Sequence, residues 1–258
     1  MAEQRPLRIF LTGASSGIGA ALARHYAAAG ATLGLVARRR RELEQLARGL
    51  PTPCEVYATD VRDADGLAGA ARHFIAGHGL PDAVIANAGL SVGTLTDHPE
   101  DTSVFQEILL TNVIGLVNTF QPFLPGLRER GAGTLAGIAS VAGYRGLPGA
   151  GAYSASKAAA IAYLESLRVE LRPSGVRVVT VCPGFVDTPL TRVNPYPMPF
   201  LMRPEVAAAQ IASLVGRGRP YSVIPWQMAV VARVLHVMPD WLYDLLFARA
   251  KHKPRRTS

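Results

Sequence analysis

Two side chains in the stretch AYSASKAAAIAYLESL, residues 152–167, have the types and the spacing to move a proton: Tyr153 and Lys157. Four positions apart on a helix, they share one face. Free tyrosine has a pKa of about 10, too high for base work near neutrality. A close ammonium stabilises phenolate and brings that value down. The same pair can instead be a packed ring beside a solvated amine, and the stretch alone does not choose.

A second stretch, TGASSGIG at 12–19, has the chemistry of an anion cradle. Gly13, Gly17 and Gly19 permit a tight turn and let the backbone come close to a ligand. An apolar run precedes the turn and a helical pattern follows it, which is the setting a pyrophosphate-binding turn requires. The end of the next apolar run reads Ala37-Arg38-Arg39. An acid there would hold a ribose 2′-hydroxyl, as NAD sites do. Guanidinium groups in its place suit the 2′-phosphate of NADP. Arg38 is the first candidate and Arg39 the second, while Arg40 and Arg41 read as the solvated start of a helix.

The elements that must position these groups alternate. Apolar runs at 8–13, 32–37, 55–60, 83–88, 133–140, 177–183 and 221–225 predict strands. Helical patterns fill 17–29, 39–48, 64–78, 101–128, 152–172 and 204–216. Near-continuous apolar strands between helices predict a parallel sheet covered on both faces. The expected class is α/β: a Rossmann-like, doubly wound parallel sheet of about seven strands. Residues 1–225 form the cofactor-binding and catalytic domain, with an irregular proline-rich loop near 189–204. Residues 226–258 form an apolar helical extension with a basic tail.

Composition supports one large core: 258 residues, 49% hydrophobic. The formal net charge of +8 sits in two short runs, 38–41 and the tail KHKPRR. With the rest near neutral and no aromatic interleaving, nucleic acid is not an expected partner. Cys54 and Cys182 form no CxxC pair and read as packed thiols of a reducing compartment. The N-terminus has no signal-peptide pattern, and no run of about 18 uncharged apolar residues predicts a membrane span. The expected location is the cytoplasm, and no metal ligands are assigned.

Six motifs, in order and at consistent spacing, resemble the short-chain dehydrogenase/reductase family in its shorter, single-domain branch. They are TGASSGIG (12–19), NAG (87–89), Asn112 in LLTNVIG, Ser140 in GIASVAG, YSASK (153–157) and PGFVDTP (183–189). The resemblance spans roughly 7–190. It implies a catalytic set of Asn112, Ser140, Tyr153 and Lys157. Tyr153 would be the general acid or base, with its pKa lowered by Lys157. Lys157 would also hold the nicotinamide ribose, Ser140 the substrate oxygen, and Asn112 a water linking Lys157 to solvent. It also implies cofactor contacts at Gly13, Ser15, Ser16, Gly17, Ile18, Gly19, Asp60, Val61, Asn87, Ala88, Gly89, Pro183, Gly184, Val186 and Thr188, beside Arg38 and Arg39. The implied activity is an NADP-dependent interconversion of carbonyl and alcohol by a homo-oligomer. A catalytically silent dinucleotide-binding scaffold is the alternative, and the intact catalytic set argues against it.

The region after PGFVDTP offers Tyr196, Met198, Phe200, Leu201 and Met202 between prolines, with Leu90, Tyr144 and Leu147 as further candidates. An apolar substrate fits that composition; Arg145 and Arg192 are the cations placed to meet an acidic one. Residues 226–256 carry apolar positions at helical spacing on both sides of Pro239, which predicts a break there. That segment has three expected fates: packing on its own domain, burial in an oligomer, or peripheral contact with a membrane surface through 226–256, the basic tail lying near anionic headgroups.

Overall fold

Short runs of branched and aromatic residues become seven strands: β1 (Arg8–Thr12), β2 (Thr32–Val36), β3 (Cys54–Tyr57), β4 (Ala83–Ala86), β5 (Gly133–Ile138), β6 (Val176–Pro183) and β7 (Tyr221–Ile224). The computed structural model describes residues 5–256. All strand pairings are parallel, in the order β3-β2-β1-β4-β5-β6-β7. The chain moves outward from β1 to β3, then crosses back so that β4 lies on the other side of β1. That reversal opens a crevice at the carboxyl ends of β1 and β4, where ligands of such sheets bind.

Ten α-helices cover the sheet: α1 (Gly17–Ala28), α2 (Arg40–Arg48), α3 (Ala64–His78), α4 (Asp101–Leu109), α5 (Gly115–Phe120), α6 (Leu124–Arg130), α7 (Gly151–Leu171), α8 (Pro204–Arg217), α9 (Trp226–Val237) and α10 (Asp240–Phe247). Alternate strand residues feed opposite cores. Ile9, Leu11, Leu33 and Leu35 pack with Leu22, Leu43 and Ile211 beneath α1, α2 and α8. Phe10 and Val84 pack with Phe74, Phe120, Phe123 and Leu164 on the other face. The Phe10 ring lies 4.8 Å from Phe123 and 5.7 Å from Phe74, centroid to centroid. Emptying such a site costs about 3–5 kcal/mol.

Two expectations need correction. The third strand ends at Tyr57 rather than 60, because the chain leaves the sheet to bring Thr59 and Asp60 to the crevice. The helix expected over 101–128 is a composite. A π turn at Leu110–Ile114 separates α4 from α5, and a 3-10 turn at Gln121–Phe123 joins α5 to α6 near Pro122 and Pro125. The run Asp101–Arg130 has the length and a mean hydropathy of 1.3 that would allow a membrane crossing by composition alone. Here its Ile108, Phe120, Phe123 and Leu127 are fully buried in the fold.

Residues 226–247 pack on the same sheet. Met228 and Ala232 of α9 and Tyr243 of α10 are buried, and Met228 lies over Gly184. The break comes at Pro239, which caps α10. The outer face stays open: Trp226, Val230, Val234, Val237, Trp241, Leu245 and Leu246 are all at least half exposed.

Candidate active site

The first two turns of α7 carry Tyr153 and Lys157, and β5 ends beside them. Lys157 is buried, and its Nζ donates to the carbonyl of Ile138, the last residue of β5, at 2.8 Å. The same nitrogen lies 5.8 Å from the centre of the Tyr153 ring. Burial disfavours the ammonium and pulls Lys157 down to about 8. Burial also pushes Tyr153 up, the Ser140 hydroxyl opposes it, and the Tyr196 phenol adds to it. The depression of Tyr153 expected from Lys157 is therefore absent in the cofactor-free chain. Desolvation outweighs the Ser140 hydrogen bond, and the resting phenol holds its proton.

Ser140 follows β5 in extended conformation, and its hydroxyl caps the next turn by accepting from the Ala142 amide at 3.1 Å. Asn112 sits in the π turn. Its Oδ1 accepts from the Leu90 amide at 2.7 Å, and its Nδ2 donates to the Leu90 carbonyl and to Ser156 Oγ, both at 2.9 Å. Ser156 Oγ in turn donates to the Tyr153 carbonyl at 2.7 Å. Asn112 thus ties the loop after β4 to α7. Both Nδ2 donors are committed, so the side chain has none left for a relay water. A π turn shifts the ladder and frees main-chain groups, which is where a water would be held.

At the other end of the crevice, Gly13 has φ +69°. A Cβ there would lie 2.7 Å from the Ala88 Cα and 2.9 Å from Asn87 Nδ2, so the position admits only glycine. Asn87 Nδ2 donates to the carbonyls of Thr12 and Gly13 at 3.1 and 3.2 Å, clamping β4 to the glycine turn. Arg39 donates to the hydroxyls of Ser15 and Ser16, both at 3.0 Å. Arg38 lies 3.8 Å from both Asp60 and Glu107 and is more than half exposed. Burial works to raise Asp60, but its hydrogen bonds from Arg62 and the charges of Arg62 and Arg38 outweigh it and hold the carboxyl low.

One cleft of about 500 Å³ connects these ends. Ser140, Tyr153 and Lys157 line it, as do the glycine turn, Arg38, Arg39, Asp60, Val61, the 87–89 stretch, Pro183, Gly184, Val186 and Thr188. Two expected residues do not: Gly19 packs against the Gly13 carbonyl, and Asn112 lies behind the wall. Thr111, the residue before Asn112, takes its place. The Thr111 hydroxyl is buried, lines the cleft and has no hydrogen-bond partner among the described residues. Sequence reading passed over it although it adjoins a motif residue. A cleft with a glycine turn and arginines at one end and Ser140, Tyr153 and Lys157 at the other fits a nicotinamide dinucleotide.

The candidate acid-binding cations are engaged elsewhere. Arg145 donates to the carbonyls of Leu235 and Met238 at 3.1 and 2.7 Å and to Asp240, closing the end of α9. Arg192 pairs with Asp187 at 2.7 Å within its own loop. The tail packs on its own domain. Lys253 is buried and donates to the Leu190 carbonyl at 2.8 Å, Arg255 pairs with Glu100 and Asp101, and Arg256 pairs with Glu107. Three of its four cations thus have partners within the protein, although Arg256 stays half exposed.

Known proteins match this geometry. The sequence model of short chain dehydrogenases matches residues 8–196. An uncharacterized oxidoreductase of Myxococcus xanthus is 39% identical over 254 residues, 97% of this chain and 100% of the relative. A sulfoacetaldehyde reductase of Chromohalobacter salexigens is 38% identical over 189 residues, 72% of this chain and 75% of its own. Among solved structures, a short-chain dehydrogenase from Streptomyces avermitilis superposes with TM-score 0.80 at 26% identity, covering 95% of this chain and 98% of that one. A 3-ketoacyl-(acyl-carrier-protein) reductase from Brucella melitensis complexed with NADH gives 0.77 at 25% identity, covering 84% and 96%. With the sheet order, the glycine turn and the Ser140–Tyr153–Lys157 cluster, these matches show that the chain is an oxidoreductase of the short-chain dehydrogenase/reductase family.

Proposed function

We propose that the protein is an NADP-preferring oxidoreductase that interconverts a carbonyl and an alcohol on an apolar substrate. The observation that carries the reading is the cleft itself: Tyr153, Ser140 and Lys157 at one end, Arg38 and Arg39 at the other. NADPH supplies the hydride when bound. Gly13, Gly17 and Ile18 would hold its pyrophosphate, Arg38 its 2′-phosphate, and Lys157 its ribose. For reduction, the protonated Tyr153 donates to the carbonyl oxygen as negative charge grows there. The Ser140 hydroxyl donates to the same oxygen and stabilises it. The charge of Lys157 favours the phenolate left behind.

The relatives named for aldehyde and keto-acyl reduction support the carbonyl class. The loop around Tyr196, Phe200 and Leu201, together with the engagement of Arg145 and Arg192, supports an uncharged, apolar substrate. Free Cys54 and Cys182, on strands in opposite halves of the sheet, suit a cytoplasmic setting. The exposed stripe of α9 and α10 is the face a homo-oligomer would bury.

The test is a panel of aldehydes and ketones, sulfoacetaldehyde included, with NADPH and with NADH, followed by loss of the reduced cofactor's absorbance. Turnover of apolar carbonyls with NADPH is expected. Equal efficiency with NADH overturns the cofactor assignment, and turnover confined to sulfoacetaldehyde overturns the apolar one.

A further inference from the structure

The last described residues run back over the fold and touch three loops, at Gly149, Gly93 and Leu190. His252 crosses Gly149, whose φ of +70° and missing side chain leave it room. The Lys253 carbonyl lies so close to Gly93 that a Cβ there would overlap it. Gly93 donates its amide to the Pro254 carbonyl at 2.9 Å and pairs in parallel with Arg255. Arg255 Nε and Nη2 then grip the buried Asp101 at 2.7 and 3.1 Å, and Asp101 also accepts from the Leu95 amide at 2.8 Å. The tail is thereby fixed at its far end.

Between these anchors Lys253 points inward. It is 6% exposed, and its hydrogen-bond partner among the described residues is the Leu190 carbonyl. No described carboxylate pairs with it. Leu190 belongs to the loop between β6 and α8, which is closed at its base by an isolated parallel bridge of Val186 with Met202, Asp187 N donating to Met202 O and Met202 N to Phe185 O, both 2.9 Å. Thr188, Pro189, Leu190 and Thr191 line the cleft. Burying an ammonium against one carbonyl is costly, and its pKa is drawn down to about 8 by that burial. A solvated lysine at a chain end would avoid the cost. Here the contact fastens the tip side of the loop to an anchored strand of chain.

We propose that the tail 251–256 is a strap that sets the position of the loop 186–202 over Tyr153, with Lys253 as its positioning residue. The proposal rests on the carbonyl-reductase reading only for its kinetic consequence. Lys253 touches neither cofactor nor the reacting atoms. It acts through Leu190, so it governs how well substrate is held rather than the proton transfer.

The test compares the full chain with Lys253→Met and with a chain ending at Ala250. Hydrogen exchange of the amides in 186–202 is read with NADPH bound, and NADPH affinity by its fluorescence. Expected in both variants is exchange in 186–202 faster by about tenfold or more, unchanged exchange in β1 and β4, and NADPH affinity within about twofold. With any carbonyl the panel finds, KM rises while kcat stays within about twofold of the full chain, the signature of lost uniform binding. Unchanged exchange of 186–202 in Lys253→Met overturns the proposal, as does a fall in kcat at constant KM. The exchange result stands even if the panel finds no substrate, so it separates this proposal from the reading it accompanies. If the shortened chain fails to fold, Lys253→Met alone decides.

Discussion

The two walls of the cleft are built differently. The cofactor wall is local: Gly13, Ser15, Ser16 and Gly17 lie in one turn, and Arg39 bonds to Ser15 and Ser16 from the end of the neighbouring strand. Its shape comes from backbone and missing side chains. What we propose as the substrate wall is backed by contacts between distant chain segments. Arg145 closes α9, Tyr243 Oη donates to the Gly146 carbonyl at 2.6 Å, Tyr221 Oη donates to Tyr144 Oη at 2.8 Å, and Lys253 reaches Leu190. A ligand common to a whole family can be met by a short contiguous motif. A substrate particular to one chain is met by whatever the late segments bring.

The largest expected effect falls where the walls meet. Tyr153→Phe keeps the ring and removes the proton donor, so kcat should drop by about 10²–10⁴-fold while NADPH affinity stays within about twofold. Steady-state kinetics and cofactor titration check both, and near wild-type turnover would show that another residue is the acid.

Arg38→Asp breaks the cofactor wall alone. Losing a charge-assisted bond to phosphate is worth about 1.5–3 kcal/mol, so NADPH affinity should fall by about 10–100-fold. NADH affinity should hold or improve. Parallel loss of both cofactors would place Arg38 in the general scaffold instead.

Alkaline titration compares the two buried lysines, one behind each wall. Lys157 and Lys253 have folded values near 8 against 10.5 for an ordinary lysine. A lowered lysine value means the unfolded chain binds more protons between those limits. The burial penalty is fully present below about 8 and is relieved as pH rises toward 10.5, by at most about 1.4 kcal/mol per pH unit for each group. Buried thiols and phenols, whose values are raised by burial, pull the other way from about pH 9, so urea midpoints of the cofactor-free chain should rise between about pH 7.5 and about pH 8.5, and Lys253→Met should remove about half of the lysine contribution to that rise. An identical pH dependence in the full chain and in Lys253→Met would contradict the burial of the Lys253 ammonium.

The smallest effect belongs to the substrate wall. Arg145→Met uncaps α9 at a cost of about 1–2 kcal/mol in stability. The pair with Asp240 adds little, because Asp240 is almost fully exposed. Denaturant melts should show the loss and NADPH titration should not change. A matching loss of cofactor affinity would mean that the walls are mechanically one.

The same contrast explains what was legible beforehand. Parallel strands buried on both faces write themselves as apolar runs, so six of the seven fall within two residues of expectation and β3 ends three residues early because its last three residues turn to the cleft. Tyr153, Lys157 and Ser140 could be named because they stand in short motifs that resemble a known family, and Arg38 because it ends the second apolar run. The bonds from Asn112 to Leu90 could not, since the partner is 22 residues back on an irregular loop. Lys253 reads only as one cation of a basic tail, and the three-dimensional meeting of Gly93, Gly149 and Leu190 is what takes it inside. The π turn is equally silent, because Leu110–Ile114 has the composition of ordinary helix.

Arg38 lies between Asp60 and Glu107, and Glu107 is itself held by Arg62 and Arg256. If the cofactor is NADP, as proposed, its 2′-phosphate would exchange partners with these carboxylates instead of meeting a bare guanidinium. The reverse also holds. When spent cofactor leaves, Asp60 and Glu107 recapture the arginine at once, so departure is assisted by competitors already in place. Part of the tightness of binding is given up for speed of exit. In reductases whose turnover is limited by release of the oxidised cofactor, such a pair of built-in competitors shortens the cycle.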